Sequence, residues 1–253
     1  MGLNRDKYGI IGQIQPNGEV FGGDSACWMG AHTFLTHSTF PYVKTFEKGF
    51  GGYVRHPHAD ATPHGFGAHY KNPWNGCMSR DQLTGTLGAL IRQKERMALI
   101  RLVLQHACRG FLFSYKTIHN GKDPSLYKFN LLKFFYNPDK EPYYKMPDAT
   151  FFDFWATCLR GFGKFSWLFW PLLCVLDIHT LLNAIIVNAT DDDDRINFSM
   201  KLLVSREFVP TPISWLAAKI INKKKLLASL HNYWFKRDNS DMYPLYENRI
   251  NQL

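Results

Sequence analysis

The stretch Ser166–Val187, SWLFWPLLCVLDIHTLLNAIIV, decides how the rest of the chain is read. It is nearly all apolar, and it is long enough to cross a bilayer, since about 20 helical residues span the hydrocarbon. Pro171, Asp177, His179 and Asn183 lie inside it. A charged or strongly polar group at the bilayer centre costs roughly 2.5–3.5 kcal/mol even on a lenient insertion scale. The better account is a helix buried in the middle of a large helical protein, and no membrane span is expected. Asp177 and His179 are two positions apart, so on a helix they do not share a face. Each needs a partner elsewhere: the plain reading is one hydrogen-bonded core group and one group at the rim, the sharper one a group reaching a pocket.

Downstream, Arg195–Ser205, Ile213–Ile221 and Leu226–Phe235 read as shorter helices, with Pro210 and Pro212 breaking the first from the second. Asp191 to Asp194 read as a loop and as negative charge at the start of the next helix, because the glycine and terminal glutamate of an EF-hand loop are missing. Upstream, a helix is expected over Asp148–Phe162, after a loop over 119–147 marked by Asn120-Gly121, Asp123-Pro124, Asn137-Pro138 and Glu141-Pro142.

The strongest helical pattern opens at Ser79-Arg80-Asp81-Gln82, where Ser79 and Gln82 have the spacing of a capping box. Leu83, Leu87, Leu90, Met97, Ile100 and Leu104 continue an apolar stripe towards Phe111. A further helix starts after Asp24 or Ser25 as N-cap. Residues 1–23 read as a loop or hairpin, with Tyr8–Ile14 strand-like and Pro16-Asn17-Gly18 as the turn. The sum is about seven helices with long loops and little strand, a mainly α layered array or an incomplete α/α toroid.

The chain has 253 residues and a formal charge of +9, with 45% hydrophobic and 20% charged residues, which excludes a disordered or fibrous chain. A single helical domain over 1–253 fits that length. Five cysteines at irregular spacing point to a reduced compartment rather than a disulfide framework or zinc knuckle. No signal peptide is visible, which agrees with a reduced compartment. Aromatic residues make up 15% of the chain, enough to fill a large core or to line a site for flat or sugar-like ligands. Lys223-Lys224-Lys225 is the only cationic run and reads as a solvated face before it reads as a nucleic-acid patch.

Three groups of residues could carry chemistry. Two loop-to-helix corners, Gly23-Asp24-Ser25 and Ser79-Arg80-Asp81, each hold a carboxylate that a helix N-terminus keeps ionised. Ordinary capping is the plainer explanation of both. The second corner has company, however: Trp74 and Asn75 precede it, and the loop over 38–78 carries Arg55. An aromatic plane beside amide, guanidinium and carboxyl groups suits a sugar ring, and two carboxyls facing one pocket can divide acid and base roles. The second group is His56, His58, Asp60, His64 and His69, which offers zinc or iron ligands without any established spacing; solvated histidines are the plainer reading. The third is Ser25, whose Gly-Asp-Ser setting invites comparison with esterases. No buried strand precedes it, and no D-x-x-H block follows to complete a triad.

The order Gly23-Asp24-Ser25-Ala26, Arg55-His56-Pro57, Trp74 and Ser79-Arg80-Asp81-Gln82 resembles uncharacterised proteins of tailed bacteriophages over 20–90, and Val209-Pro210-Thr211-Pro212 extends the likeness loosely through 190–250. The resemblance implies a phage context rather than a reaction, with the host cytoplasm or a virion as the expected location. A fold-level similarity to α/α-toroid carbohydrate-active enzymes is weaker and matches none of their motifs. The expectation is a protein that binds or cleaves a bacterial polysaccharide or peptidoglycan. Asp81 is the expected general acid and Asp24 the base, with Arg55, Trp74, Asn75, Ser79 and Arg80 binding substrate and no cofactor required. The rival expectation is a non-catalytic virion or assembly protein whose basic surface meets DNA or other phage components. A metal-dependent hydrolase on His56, His58, Asp60 and His64 comes third.

Overall fold

Two helices that approach closely enough to exclude a side chain organise the first half of the protein. In a computed structural model the described residues are 2–14, 18, 20–21, 24–47, 50–57, 80–108, 150–189 and 195–253. Helix α1 (Ser25–Thr36) and helix α3 (Arg80–Arg92) make the most extensive helix pair among them. A Cβ on Gly85 would run into the Cys27 backbone, and one on Gly30 into the Gly85 carbonyl. Glycine at these two positions is what allows the backbones to touch. Between α1 and α3 lies the short α2 (Tyr42–Phe46). Its Tyr42 is fully buried and donates its phenol to the Ala26 carbonyl at 2.7 Å.

The protein is mainly α. Among the described residues the chain continues with α4 (Arg96–Cys108), α5 (Thr150–Arg160), a 3-10 helix (Gly163–Phe169), α6 (Trp170–Ala189), α7 (Arg195–Glu207), α8 (Pro212–Ile220), α9 (Lys223–Lys236) and α10 (Met242–Asn251). The expected strand shrinks to a two-residue ladder, with Gln13 opposite Phe21 and Ile14 opposite Val20. The residues of 119–147 and the Asp191 to Asp194 run lie outside the described set.

The long helix expected from Ser79 to Phe111 is two helices. Lys94 adopts a left-handed φ of 59°. The Lys94 amide bonds the Ile91 carbonyl at 3.1 Å, and the Glu95 amide bonds Leu90 at 2.9 Å. This paired closure satisfies the last carbonyls of α3 and ends it. The apolar stripe is accordingly cut: Leu83, Leu87 and Leu90 are buried, whereas Met97 and Leu104 are exposed. The rest of the periodic reading holds, with α5, α7, α8 and α9 close to their expected bounds. Pro212 is the first residue of α8, where its missing N–H costs nothing. Thr211 and Ser214 close a capping box there. α10 is not among the expected helices; Pro244 stands in its first turn, and its Met242, Tyr246 and Ile250 are fully buried.

The main core gathers side chains from each of α1 to α10. At its centre Trp28 meets Trp234 edge-on at 5.7 Å, and Trp234 stacks on Tyr246. A smaller cluster of Ala156, Leu159, Leu173, Leu176 and Val209 lies between α5, α6 and the turn before α8.

The Ser166–Val187 segment departs from its expected place. α6 is not buried in the middle of the molecule but lies at one edge. Leu173, Leu176, Asp177, Thr180, Asn183, Ala184 and Val187 face inward, and Leu172, Val175, Ile178, Leu182 and Ile185 face outward. Inside, Arg160 and Asp177 form a fully buried ion pair at 2.6 Å. Arg160 also donates to the Phe208 carbonyl at 2.9 Å, and the Thr211 hydroxyl donates to the same Asp177 oxygen. His179 does not pair with Asp177. Its Nδ1 lies 3.0 Å from the Asn183 amide nitrogen one turn along.

Candidate active site

The first turn of α1 carries free backbone N–H groups, and in most helices the N-cap side chain would take one of them. Asp24 occupies the N-cap position here and makes no such bond. The donors are met from elsewhere in the chain. The Ala26 amide donates to the Arg55 carbonyl at 3.0 Å, and the Cys27 amide donates to Gln82 Oε1 at 3.0 Å. Gln82 is fully buried, and its Nε2 turns to Asp24 Oδ1 at 2.9 Å. The close crossing of α1 and α3 is what lets one glutamine side chain reach both.

Three segments distant in sequence therefore converge. The Asp24 carboxylate lies 4.0 Å from the Arg55 guanidinium and is 40% exposed, while the Arg55 side chain is 8% exposed. Gln82 brings the first turn of α3 to the same corner. Asp81 and Arg80 lie in that turn, and only their backbone is described. Trp74, Asn75 and Ser79 lie outside the described residues. Both ends of the Gln82 amide are engaged at α1, and Ser79, its expected capping-box partner, lies outside the described residues.

A second layer comes from the C-terminal part of the chain, which the sequence reading did not connect to this corner. Trp28 donates its indole N–H to the Tyr233 hydroxyl at 3.1 Å. Burial, and then the negative charge of Asp24, push the Tyr233 phenol well above its ordinary range, so it stays protonated. The Arg237 guanidinium sits 3.6 Å from the centre of the Tyr233 ring. The four-residue spacing of Tyr233 and Arg237 marks a shared helix face, but no sequence pattern says that this face meets Asp24.

Ser25 is fully buried and gives its hydroxyl to the Ile11 carbonyl at 2.7 Å, so it is no exposed nucleophile. His56 is buried and pairs with Asp6 at 2.7 Å. Asp6 belonged to no expected ligand set, and it fastens the N-terminal segment to the loop before α3. Among the described residues no group of three or more His, Cys, Asp or Glu side chains is placed to hold a metal. His58, Asp60, His64 and His69 lie outside those residues.

A cleft of about 780 Å³ opens elsewhere, between the segment around α2 and the α3–α4 turn, with Ser38, Pro41, Lys44, Gln93 and Lys94 in its walls. Two of its polar side chains, Gln93 and Arg92, are already committed. Gln93 donates to the Ser38 and Phe40 carbonyls, and Arg92 binds Glu207 and the Phe34 carbonyl. The Asp24 corner has the better chemistry: a part-exposed carboxylate whose partners are themselves buried and fixed. Comparison with family models, curated proteins and solved structures finds no match to this chain.

Proposed function

We propose that the Asp24 corner binds or cleaves a bacterial polysaccharide or peptidoglycan strand in a phage context. Asp81 acts as general acid and Asp24 as base or water-positioning group. Arg55, Arg80, Ser79, Trp74 and Asn75 hold the sugars, and an α/α-toroid-like layering of the helices belongs to the same proposal. The observation that supports it is the convergence of Asp24, Arg55 and the first turn of α3, joined by the 2.9 Å bond from Gln82 to Asp24. Capping of α1 by Gln82 and by the Arg55 carbonyl leaves the Asp24 carboxylate free of its usual structural duty. A carboxylate relieved in this way can accept a proton from water or from a sugar hydroxyl.

The test is release of soluble fragments from a panel of bacterial polysaccharides and peptidoglycan, read by mass spectrometry. Asp24→Asn and Asp81→Asn are each expected to lower release by about 100- to 10,000-fold, the usual range for loss of a general acid or base. Fragment masses separate hydrolysis from elimination. No release from any polymer, with all three proteins folded, overturns the catalytic reading.

One observation favours a second reading. The Gln82–Asp24 bond also ties α3 to α1, which is what a non-catalytic virion or assembly protein would need of it. Constant stoichiometry in purified particles, without fragment release, is its expected signature.

A further inference from the structure

We infer that the outer face of α6 is an in-plane docking surface for an anionic lipid bilayer. The inference uses none of the residues at the Asp24 corner. α6 is 20 residues long, or about 30 Å at 1.5 Å per residue. Leu172, Val175, Ile178, Leu182 and Ile185 recur along it at three- and four-residue steps, each about half exposed. The preceding 3-10 helix extends the row with Phe165, Trp167 and Leu168, the last 75% exposed. α8 lies alongside and runs in the same direction, since Thr211 reaches Asp177 and the Asn188 side chain reaches the Ile220 carbonyl. It adds exposed Trp215, Leu216 and Ile220.

The polarity of α6 is inverted relative to a helix on a water-facing surface. Its buried polar groups, Asp177, Thr180 and Asn183, are turned inward, and His179 and Asn188 are half-buried. The exposed positions of its outer row are all hydrocarbon. A protein–protein interface taken whole is only about 57% non-polar. A face this uniform matches hydrocarbon better than it matches a protein surface.

Charge selects the partner. Lys164 is exposed at one end of the row, and Lys219 and Lys224 are exposed towards the other. The only acid within 154–189 is the buried Asp177, and 208–237 contains none. A second copy docked through this face would set lysine ends against lysine ends in either two-fold orientation. Anionic headgroups instead complement both ends, with Trp167 and Trp215 suited to the headgroup level. The inward face of α6 stays packed on α5, α7 and α8, so lipid meets one side and the helix lies in the plane of the interface.

The test is cosedimentation of the purified full chain with phosphatidylcholine vesicles, with and without one-third phosphatidylglycerol. Binding is expected to the anionic vesicles and to fall about tenfold at raised salt, as charge–headgroup attraction requires. Leu168→Glu/Leu182→Glu is expected to weaken it by at least about a hundredfold with the melting temperature unchanged. Lys164→Glu/Lys219→Glu is expected to cost at least about thirtyfold. Undiminished binding by the Leu168/Leu182 variant, or no binding to either vesicle, overturns the inference. So does a dimer that this variant dissociates, which would make a second copy the occupant. A lower melting temperature of the variant without lipid would show that the row is covered within the chain. Retention of the protein on vesicles after alkaline washing would replace in-plane docking with a span.

Discussion

The α1–α3 corner and the α6 edge distribute polarity in opposite ways. At the corner, apolar side chains and glycines meet inside, while Asp24 looks outward. At the edge, an ion pair and two polar side chains are inside and hydrocarbon is outside. The two arrangements partner buried polar groups through different means, with Asp177 Oδ1 the exception at the edge. The corner needs close backbone approach so that one glutamine can serve two helices. The edge needs a hydrogen-bonded network around a charge that cannot leave. Burial alone therefore does not separate core from surface here; what lies on the opposite face of each helix does.

The sharpest way to break this contrast is at the edge. Arg160→Met leaves Asp177 buried without its cation and is expected to cost about 3–5 kcal/mol in urea unfolding. Arg160→Met/Asp177→Leu is expected to recover most of that, because the desolvated charge goes with its partner. A double variant as unstable as the single one would show that the pair organises this region beyond its own charges.

At the corner the matching change is Gly85→Ala. The new methyl group meets the Cys27 backbone, and the expected cost is about 1–3 kcal/mol or more, with the Asp24–Gln82 bond disturbed. Gly88→Ala is the control on the same helix. Its Cβ meets only the flexible end of Met200 at 2.8 Å, and less than about 1 kcal/mol is expected. Gln82→Leu is expected to cost about 1–3 kcal/mol, since the buried Cys27 amide loses its acceptor.

The smallest expected effect is pH-dependent. Burial, and then the Arg5 cation, hold the His32 imidazole below the usual histidine value of 6.5. The unfolded chain therefore binds the proton more readily, and stability is expected to fall as pH drops below 6.5 towards the folded-state value. His32→Gln should flatten that part of the pH–melting curve. An unchanged slope would assign it to other groups.

Much of the helical content was legible because it follows from local periodicity. The bounds of α5, α7, α8 and α9, and the break at Pro210 and Pro212, come from residues within one or two turns. The break at Lys94 was not legible, because lysine carries no left-handed preference and the apolar stripe runs past it. α10 is absent from the expected helices, although Pro244 in its first turn is tolerated because its missing N–H has no helical partner there. Asp24 and Arg55 were legible as candidates from their residue types beside a helix start. Their connection through Gln82, and the approach of Tyr233, depend on a glycine crossing that no local rule announces.

By itself the sequence determined a mainly α chain, the positions of most helices, and a set of acidic and basic residues near two helix starts. These depend on backbone propensity, capping and apolar spacing, all of which act over a few residues. Tertiary structure alone decided that Gln82 caps α1 in place of Asp24, that Arg160 neutralises Asp177, and which face of an almost wholly apolar helix is left outside. Those outcomes depend on which segments meet, and contact between distant segments is set by the packing of the whole chain.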